Sequence, residues 1–267
     1  MHSTQDVNKL LCVRALRIES ATHTLVHDLN FELAQGQTLA IVGESGSGKS
    51  ISSLAILGLL PSSLQVFGQI QFQGQNLLTL KAAQLCQIRG QKIAMIFQEP
   101  MTALNPLHRV ERIIGESLSL QGLSPHQTRK RVLALLKDVG IDQPEHKLKR
   151  YPHELSGGQR QRVMIAMALA QDPEILIADE PTTALDVTLQ AQILDLLKRL
   201  QQQRNMAMIL ISHDLNLVRR YADDVVVMQH GHVLEQGSVH EIFTQPKHRY
   251  TQNLLDHDFG QALQVQA

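Results

Sequence analysis

Eight consecutive residues match a motif whose chemistry is phosphate binding. The segment from Gly43 to Ser50 fits G-x-x-x-x-G-K-[ST] fully, and it follows Thr38–Val42, an apolar run of strand length. Lys49 is placed to reach the β- and γ-phosphate oxygens, where it would also assist catalysis, and Ser50 to offer a hydroxyl to Mg²⁺. The alternative is a glycine-rich turn with a surface lysine, which the strand–loop–helix context disfavours. The predicted phosphate-binding residues are Gly43, Glu44, Ser45, Gly46, Ser47, Gly48, Lys49 and Ser50.

A pair of acids follows a second apolar run, the four residues Ile175–Ala178 after Glu174. Such a run predicts a buried strand that delivers its last residues to the ligand edge of a parallel sheet. Asp179 is then placed to hold Mg²⁺ through water, and Glu180 to polarise an attacking water as general base. Acids after a strand also cap helices, and the complete phosphate loop favours the catalytic interpretation over that one.

Two further strand-like runs deliver polar residues at their ends. Lys92–Phe97 is followed by Gln98, and Met206–Ile211 is followed shortly by His213. Gln98 is predicted to contact the Mg²⁺ shell or the attacking water, and His213 to contact the γ-phosphate and fix the general base. Each alone would pass for an ordinary strand-end polar group, but their shared placement favours a catalytic role.

A second glycine-rich anion site lies far downstream, at Leu155 to Gln159. Ser156 is predicted to cap a helix that begins near Gln159, while Gly157 and Gly158 let the backbone approach a ligand closely. The N–H groups and the dipole of such a helix attract phosphate. One chain has no need of two phosphate sites, so the simplest explanation is that two copies meet and close each other's sites.

Composition sets the outer limits. The 267 residues carry 25 Lys and Arg against 25 Asp and Glu, so no basic footprint for nucleic acid or anionic lipid is expected. No apolar run approaches the roughly 18–20 residues that span a bilayer, and no signal peptide opens the chain. Two distant cysteines suggest neither disulfides nor a metal knuckle. These features predict a reduced, soluble, intracellular chain.

The order of these motifs, with Ala184-Leu185-Asp186, resembles the nucleotide-binding subunit of ABC transporters from about Leu11 to Leu255. The resemblance implies an α/β fold: a P-loop NTPase core with a mostly parallel sheet, an N-terminal antiparallel β subdomain and an inserted helical subdomain at about 100–170. It implies one domain over 1–255, with a tail or linker at 256–267. It also implies Mg·ATP bound in a head-to-tail dimer, with Asp186 across the seam.

A narrower resemblance points to the oligopeptide, dipeptide and nickel importers. It rests on the segments Phe97–Pro106, Tyr151–Leu155 and His248–Thr251, and shorter stretches are most similar to the first half of the fused ATPase of microcin C-type peptide importers. The implied partners are a second ATP-binding domain, integral membrane permease subunits that dock near Glu99–Leu104, and indirectly an external solute-binding protein. The implied location is the cytoplasmic face of the plasma membrane.

The chain departs from this pattern at two places. Members of the family stack an aromatic residue on adenine, but residues 1–30 contain no Phe, Tyr or Trp, and the expected position falls near Ser20. Arg17 or His23 could lie against the base instead, although a surface role is favoured for both. No cysteine follows Thr251, so the iron–sulfur centre of some relatives is not expected.

Two other functions fit parts of the pattern. A non-transport member of the superfamily acting on ribosomes or DNA would need basic surfaces, tandem ATPases or a long coiled-coil insertion, which the neutral charge and the short insert disfavour. A small-molecule kinase would use Lys49 but would leave Asp186 and the second glycine-rich site without a role. The sequence therefore predicts an ATPase that powers import of a peptide-like solute, without nucleic acid as a partner.

Overall fold

The computed structural model describes residues 9–183 and 185–264; for residues 257–264 it describes the backbone alone. Ala184 and parts of the predicted 1–255 domain and 256–267 tail lie outside the described residues. The strands are β1 (Lys9–Glu19), β2 (Thr24–Ala34), β3 (Thr38–Val42), β4 (Gln65–Phe72), β5 (Gln75–Asn76), β6 (Ile93–Ile96), β7 (Ile175–Asp179), β8 (Ala207–Ser212), β9 (Asp224–Gln229) and β10 (His232–Ser238). The helices are α1 (Lys49–Ile56), α2 (Ala82–Ile88), α3 (Pro100–Ala103), α4 (Val110–Leu120), α5 (Pro125–Asp138), α6 (Pro144–Lys147), α7 (Gly157–Ala168), α8 (Val187–Gln203), α9 (Leu215–Tyr221), α10 (Val239–Thr244) and α11 (Arg249–Gln264).

The chain divides into two compact units. Of the described residues, one unit combines 9–85 with 207–264, and the other comprises 86–183 with 185–206. No described helix is both long enough and apolar enough to cross a membrane.

The first unit is built on a mixed sheet in the order β5-β4-β1-β2-β10-β9-β3-β8. Strand β1 pairs antiparallel with β2 and with β4, which confirms the predicted N-terminal antiparallel part. Strand β3 lies between β8 and β9 and is parallel to both. All five residues of β3 are buried, as expected for an uninterrupted apolar strand covered on both faces.

The second unit carries the parallel pair β6 and β7, together with helices α3 to α8. Helices α3 to α7 occupy the stretch 100–170 that the resemblance assigned to a helical subdomain. Helix α8 is tied to α5 at its C-terminal end, where Arg204 forms an ion pair with Asp138 at 3.0 Å and another with Asp172. These pairs fix the far end of α8 within this unit.

Two boundaries can be compared with the sequence, which predicts that the helix after the phosphate loop ends at Pro61 and that the domain ends at residue 255. Helix α1 ends at Ile56, short of Pro61, because Gly58 adopts a left-handed conformation (φ 60°) and the Leu59 N–H donates to the Leu54 carbonyl. Helix α11 runs from Arg249 to Gln264 and so includes residue 255, while the domain boundary there stays a prediction.

Candidate nucleotide site

The predicted phosphate loop joins β3 to α1, with Gly48 at the N-cap of the helix. The Lys49 side chain is 4% exposed, and its Nζ donates to the Gly43 and Glu44 carbonyls, at 2.7 Å each. Glu44, Ser45 and Gly46 are exposed. The loop therefore presents its middle residues to solvent while the ammonium group is held beneath them.

The surroundings of position 43 require glycine there. Its φ is 146°, and a Cβ atom there would lie 2.0 Å from the backbone oxygen of Met228 on β9. No side chain fits at that distance, so the loop can begin only with glycine. The opposite end of the loop is tied to the β9–β10 turn, where the Gly231 N–H donates to the Ser47 carbonyl at 3.0 Å.

His213 follows β8 at the same sheet edge as the phosphate loop. The register pairs Val42, the last residue of β3, with Ser212, the last residue of β8. His213 is exposed, and Asp214 caps α9 by accepting from the Asn216 and Leu217 N–H groups. The prediction that His213 comes to the loop edge of the sheet therefore agrees with the structure, while its catalytic role stays a prediction.

In the second unit, the parallel register of β6 and β7 brings Gln98 to Glu180. Gln98 Nε2 donates to Glu180 Oε2 at 3.0 Å, and Thr183 Oγ1 donates to the same oxygen at 2.9 Å. Asp179, at the end of β7, is only 7% exposed. Sequence reasoning placed Gln98, Asp179 and Glu180 together but missed Thr183, which no motif marked.

Glu180 has an uncommon backbone conformation, with φ at 44°. A non-glycine residue in the left-handed region carries a conformational cost, which surrounding structure must offset. Here Pro181 and Thr182 are buried directly after it, and Gln161 Nε2 donates to the Pro181 carbonyl at 2.6 Å. Gln161 thus supports the carboxylate's position from α7, a role that the sequence did not signal.

Ser156 caps α7, as predicted. Its Oγ accepts from the Gln159 N–H at 3.3 Å, and Gln159 Oε1 accepts from the Ser156 N–H at 3.2 Å. This reciprocal capping box sets the start of the helix at Gly157. The segment therefore has the local structure of an anion site, with N–H groups at the start of a 12-residue helix.

The two glycines at this helix start differ in their surroundings. A Cβ atom on Gly158 would lie 2.9 Å from Leu189 Cδ2 of α8, so close packing within the chain explains that glycine. Gly157 has nothing within 4 Å of such a Cβ, and its φ is not positive. Nothing within the described part of the chain requires glycine at position 157.

An open cleft of about 480 Å³ lies over this helix start. Asp186 lines it and caps α8, its Oδ1 accepting from the Leu189 N–H at 2.9 Å. Arg162 also lines it and donates from Nη1 to the Val139 carbonyl at 2.6 Å. Burial, with the nearby charge of Arg199, lowers the pKa of Arg162. A guanidinium is charged in proteins, so the cleft has a cation that sequence reasoning missed.

The Arg17 side chain contacts two residues of its own unit, Phe67 and Glu19, and is not left open for stacking on a base. Its guanidinium lies over the Phe67 ring, 4.8 Å from the centroid, and its Nε is 3.1 Å from Glu19 Oε1. His23 is exposed in the turn between β1 and β2, where its backbone carbonyl accepts from Ser20. The structure therefore gives Arg17 the surface role that the sequence analysis favoured.

A glycine-rich loop between a buried parallel strand and a helix, with a lysine folded beneath it, defines the class of P-loop nucleotide-binding proteins. The profile described as "ABC transporter" matches residues 26–183. The chain belongs to the ABC transporter family.

The relatives agree with this assignment. The chain is 54% identical over 257 residues to the peptidoglycan transport ATP-binding protein YejF of Agrobacterium fabrum, covering 94% of this chain and 47% of that protein. It is 49% identical to the oligopeptide transport ATP-binding protein OppD of Bacillus subtilis, covering 93% of this chain and 72% of the relative. The chain thus spans about half the length of the first relative. These names confirm the predicted resemblance to ATPases of the peptide-importer subgroup.

A solved structure shows the same fold. The ATP-binding cassette MJ0796, in a dimeric post-hydrolysis state bound to ADP and Pi, is 27% identical, with a TM-score of 0.75 over 86% of this chain and 98% of that one. The predicted α/β fold with a P-loop core is therefore confirmed.

Proposed function

We propose that the chain binds and hydrolyses ATP to energise an importer of peptides or peptide-like solutes. Relatives named for peptidoglycan and oligopeptide transport support the solute class, and a cassette solved with ADP and Pi supports the reaction. The resemblance to the first half of a fused double ATPase belongs to this proposal, as does a location at the cytoplasmic face of the membrane. The proposed partners are a second ATP-binding domain, membrane permease subunits and, indirectly, a solute-binding protein, with no nucleic acid.

The observation that carries the proposal is the unexplained glycine at position 157. Glycine near a helix start costs stability relative to alanine, and neither the backbone nor any neighbour requires it here. A group from outside the chain explains it, because a bare backbone lets phosphate approach the N–H groups. Ser156, Gly157, Gly158 and Gln159 would then contact a nucleotide held by a partner's phosphate loop, with Asp186 at the seam between them.

The catalytic roles follow from donors that are already in place. Lys49 would bind the transferring phosphoryl group together with the N–H groups of the loop. Glu180 would polarise the attacking water, its carboxylate oriented by Gln98 and Thr183 before the substrate arrives. His213 would contact the γ-phosphate from the loop edge of its sheet. Such fixed groups lower the barrier because they need no reorganisation during the reaction.

The donor set fits Mg²⁺ as the accompanying ion. Within the described residues no three His, Cys, Asp or Glu side chains form a metal cluster, and Mg²⁺ in nucleotide sites is held by one or two carboxylates plus substrate phosphates. Ser50 and Gln98 would supply neutral oxygens, and Asp179 a carboxylate through water. When bound, the ion would neutralise charge on the phosphates.

The test is ATP-driven association in a chain that cannot hydrolyse ATP. Glu180→Gln protein should form a stable dimer when ATP is added, measured by analytical ultracentrifugation. Adding Gly157→Asp should abolish the dimer, because the new carboxylate repels the phosphates of a nucleotide held by the partner chain. ATP binding to the chain's own phosphate loop should stay intact. Gln202→Asp adds the same charge at an exposed position near the far end of α8 and should leave the dimer unchanged.

Dimerisation of the Gly157→Asp protein at the parent's ATP concentration would contradict the proposed role of this helix start. The transport part is tested separately in cells that lack the gene. Wild-type protein should restore uptake of a labelled peptide, and Lys49→Ala should not. Equal uptake with both proteins would refute the proposal that this chain powers the importer.

A further inference from the structure

The segment Lys247–Thr251 spans the start of α11. It contains the stretch His248–Thr251, on which the sequence resemblance to the importer subgroup partly rests. The nucleotide chemistry described above gives it no role. In the structure it lies in the first unit, the one that also holds the phosphate loop. Tyr250, half-buried in the first turn of α11, is its point of contact with that loop.

The contact is a hydrogen bond to the backbone of the loop. The Glu44 N–H donates to Tyr250 Oη at 3.2 Å, across 206 positions of sequence. The carbonyl of the same residue accepts from Lys49 Nζ at 2.7 Å. Glu44 is therefore held on its N–H side by the C-terminal helix and on its carbonyl side by the phosphate-binding lysine.

Tyr250 is itself held in place from β10. The two carboxylate oxygens of Glu235 accept from the Lys247 N–H at 2.8 Å and the His248 N–H at 3.1 Å. The Tyr250 N–H donates to His248 Nδ1 at 3.1 Å. Burial alone would raise the pKa of Glu235, but the polar groups of the segment 247–251, the Lys247 N–H first among them, outweigh it and lower that pKa. The carboxylate is therefore ionised at neutral pH and keeps both bonds.

The Tyr250 phenol is a neutral hydrogen-bonding partner for the phosphate loop. Burial raises the pKa of Tyr250; the Glu44 N–H bond opposes that rise, and the nearby negative charge of Glu44 adds to it. The group stays protonated at neutral pH, so it brings no negative charge to the mouth of a loop that is to receive phosphate.

We propose that Tyr250 is a positioning residue of the nucleotide site, which holds the first half of the phosphate loop in its phosphate-accepting shape. Glu235 acts through Tyr250 by fixing the start of α11. The inference rests on the proposed phosphate-binding role of the loop. It makes nucleotide affinity depend on a segment to which the proposed reaction assigns no contact with phosphate or with the attacking water.

The first measurement is ADP affinity of the full chain by isothermal titration calorimetry. Tyr250→Phe removes one oxygen and keeps the ring, so it should raise the Kd for ADP and for ATP alike, by roughly 2- to 10-fold, as one hydrogen bond predicts. Asn253→Ala, at an exposed position on the same helix, is the control and should leave both Kd values unchanged.

The second measurement is a double-mutant cycle with Glu235→Gln. This variant keeps one acceptor oxygen for two N–H donors and should also weaken ADP binding. Its effect should largely disappear in the Tyr250→Phe background, because the route from Glu235 to the loop passes through the lost phenol. A merely structural role for Glu235 would lower the melting temperature of both backgrounds and change affinity equally in both.

Wild-type affinity in the Tyr250→Phe protein would overturn the inference, as would an undiminished Glu235→Gln effect in that background. Should Tyr250→Phe fail to fold, hydrogen exchange on the wild type decides: ADP must slow exchange at residues 247–253, and unchanged exchange there refutes the coupling. Lys49→Ala separates the two proposals. If it binds ADP as tightly as wild type, the phosphate-binding role of the loop fails; if it binds weakly while Tyr250→Phe binds normally, only the inference fails.

Discussion

The carboxylate of Glu180 receives two donors on one oxygen before any substrate is present. The two donors come from different segments: Gln98 follows β6, and Thr183 lies in the turn after β7. This arrangement fixes the orientation of the carboxylate that would polarise water in the proposed reaction. A general base works only when its oxygen lies within hydrogen-bond reach of the proton it takes.

Removing one donor should reduce turnover without removing the base. Thr183→Ala is expected to slow ATP hydrolysis about 10-fold, because hydrogen bonds to charged groups contribute about 1.5–3 kcal/mol and Gln98 remains in place. Thr183→Ser keeps the hydroxyl and should restore most of the rate. Phosphate release at saturating ATP measures both variants, and equal rates for Ala and Ser would contradict the assigned role.

The positions of the candidate site residues were largely predictable from the sequence, because strand ends and glycine motifs mark them. Gln98, Asp179 and Glu180 were expected at strand ends and Ser156 at a helix start, where the structure has them, while their catalytic and binding roles stay predictions. Thr183 and Gln161 were not predicted, since a threonine three residues after an acid or a glutamine inside a helix has no distinctive spacing. Their roles depend on side-chain directions that only the folded backbone defines.

At the scale of elements, α7 and α8 meet where Leu189 packs over Gly158. The packing is close enough that an added methyl group at position 158 would force Leu189 to move, whereas position 157 is open. The two neighbouring glycines therefore serve different purposes. One permits a helix–helix contact, and the other leaves room for a group outside the chain.

This difference predicts that alanine affects stability differently at the two positions. Gly157→Ala should raise the free energy of unfolding by up to about 1 kcal/mol, because alanine is the better helix former and meets no neighbour. Gly158→Ala should show a smaller gain or a loss, since Leu189 must repack. Urea unfolding of both variants measures the difference. A Gly158→Ala protein as stable as the Gly157→Ala protein, or more stable, would contradict the described packing.

Strand β9 begins with a carboxylate whose environment predicts a pH effect. Burial raises the pKa of Asp224, against the hydrogen bond from the Gln37 amide. A raised folded-state pKa means that the folded protein favours the protonated acid, so this group stabilises the fold at low pH and that contribution is lost as pH rises through the folded pKa.

Asp224→Asn should remove the loss of stability that ionisation of Asp224 causes. The asparagine keeps an acceptor oxygen for the Gln37 amide. The variant's stability relative to wild type should therefore increase as pH rises above about 4, and then level off above the folded pKa. Urea unfolding between pH 4 and pH 8 tests it, with exposed Asp256→Asn as control. A pH-independent difference would show that Asp224 is not destabilised by burial.

Strand positions were predicted well because a buried parallel strand is an uninterrupted apolar run. The prediction of β3 agrees at both ends, and the predictions of β6, β7 and β8 agree to within about two residues. Helix ends were harder, as α1 shows: Gly58 ends it through a local left-handed turn, and the sequence signal used was the later Pro61.

At the scale of the molecule, the proposed site is shared between two chains. The isolated chain should therefore be a poor ATPase at low concentration, with turnover per chain that rises as the protein is concentrated. Measuring phosphate release over a 100-fold range of protein concentration tests this expectation. Turnover per chain that stays constant over this range at saturating ATP would contradict a shared site, unless the dimer already forms at the lowest concentration, which ultracentrifugation decides.

Long-range contacts explain why the rest of the molecule was not predictable. The bond between Glu44 and Tyr250 joins residues 206 positions apart. Neither a glutamate nor a tyrosine predicts such a partner from its type, and the short sequence around Tyr250 indicated only a resemblance to a family. Its structural meaning depends on the packing of α11 beside the loop, which no local pattern encodes.

Helix α8 is anchored at both of its ends. Near its start, Asp186 caps it and Leu189 covers Gly158; at its end, Arg204 holds Asp138 and Asp172. Its 17 residues span about 25 Å at 1.5 Å per residue. Helix α8 thus connects the C-terminal end of α5 to the glycine-rich start of α7 across that distance.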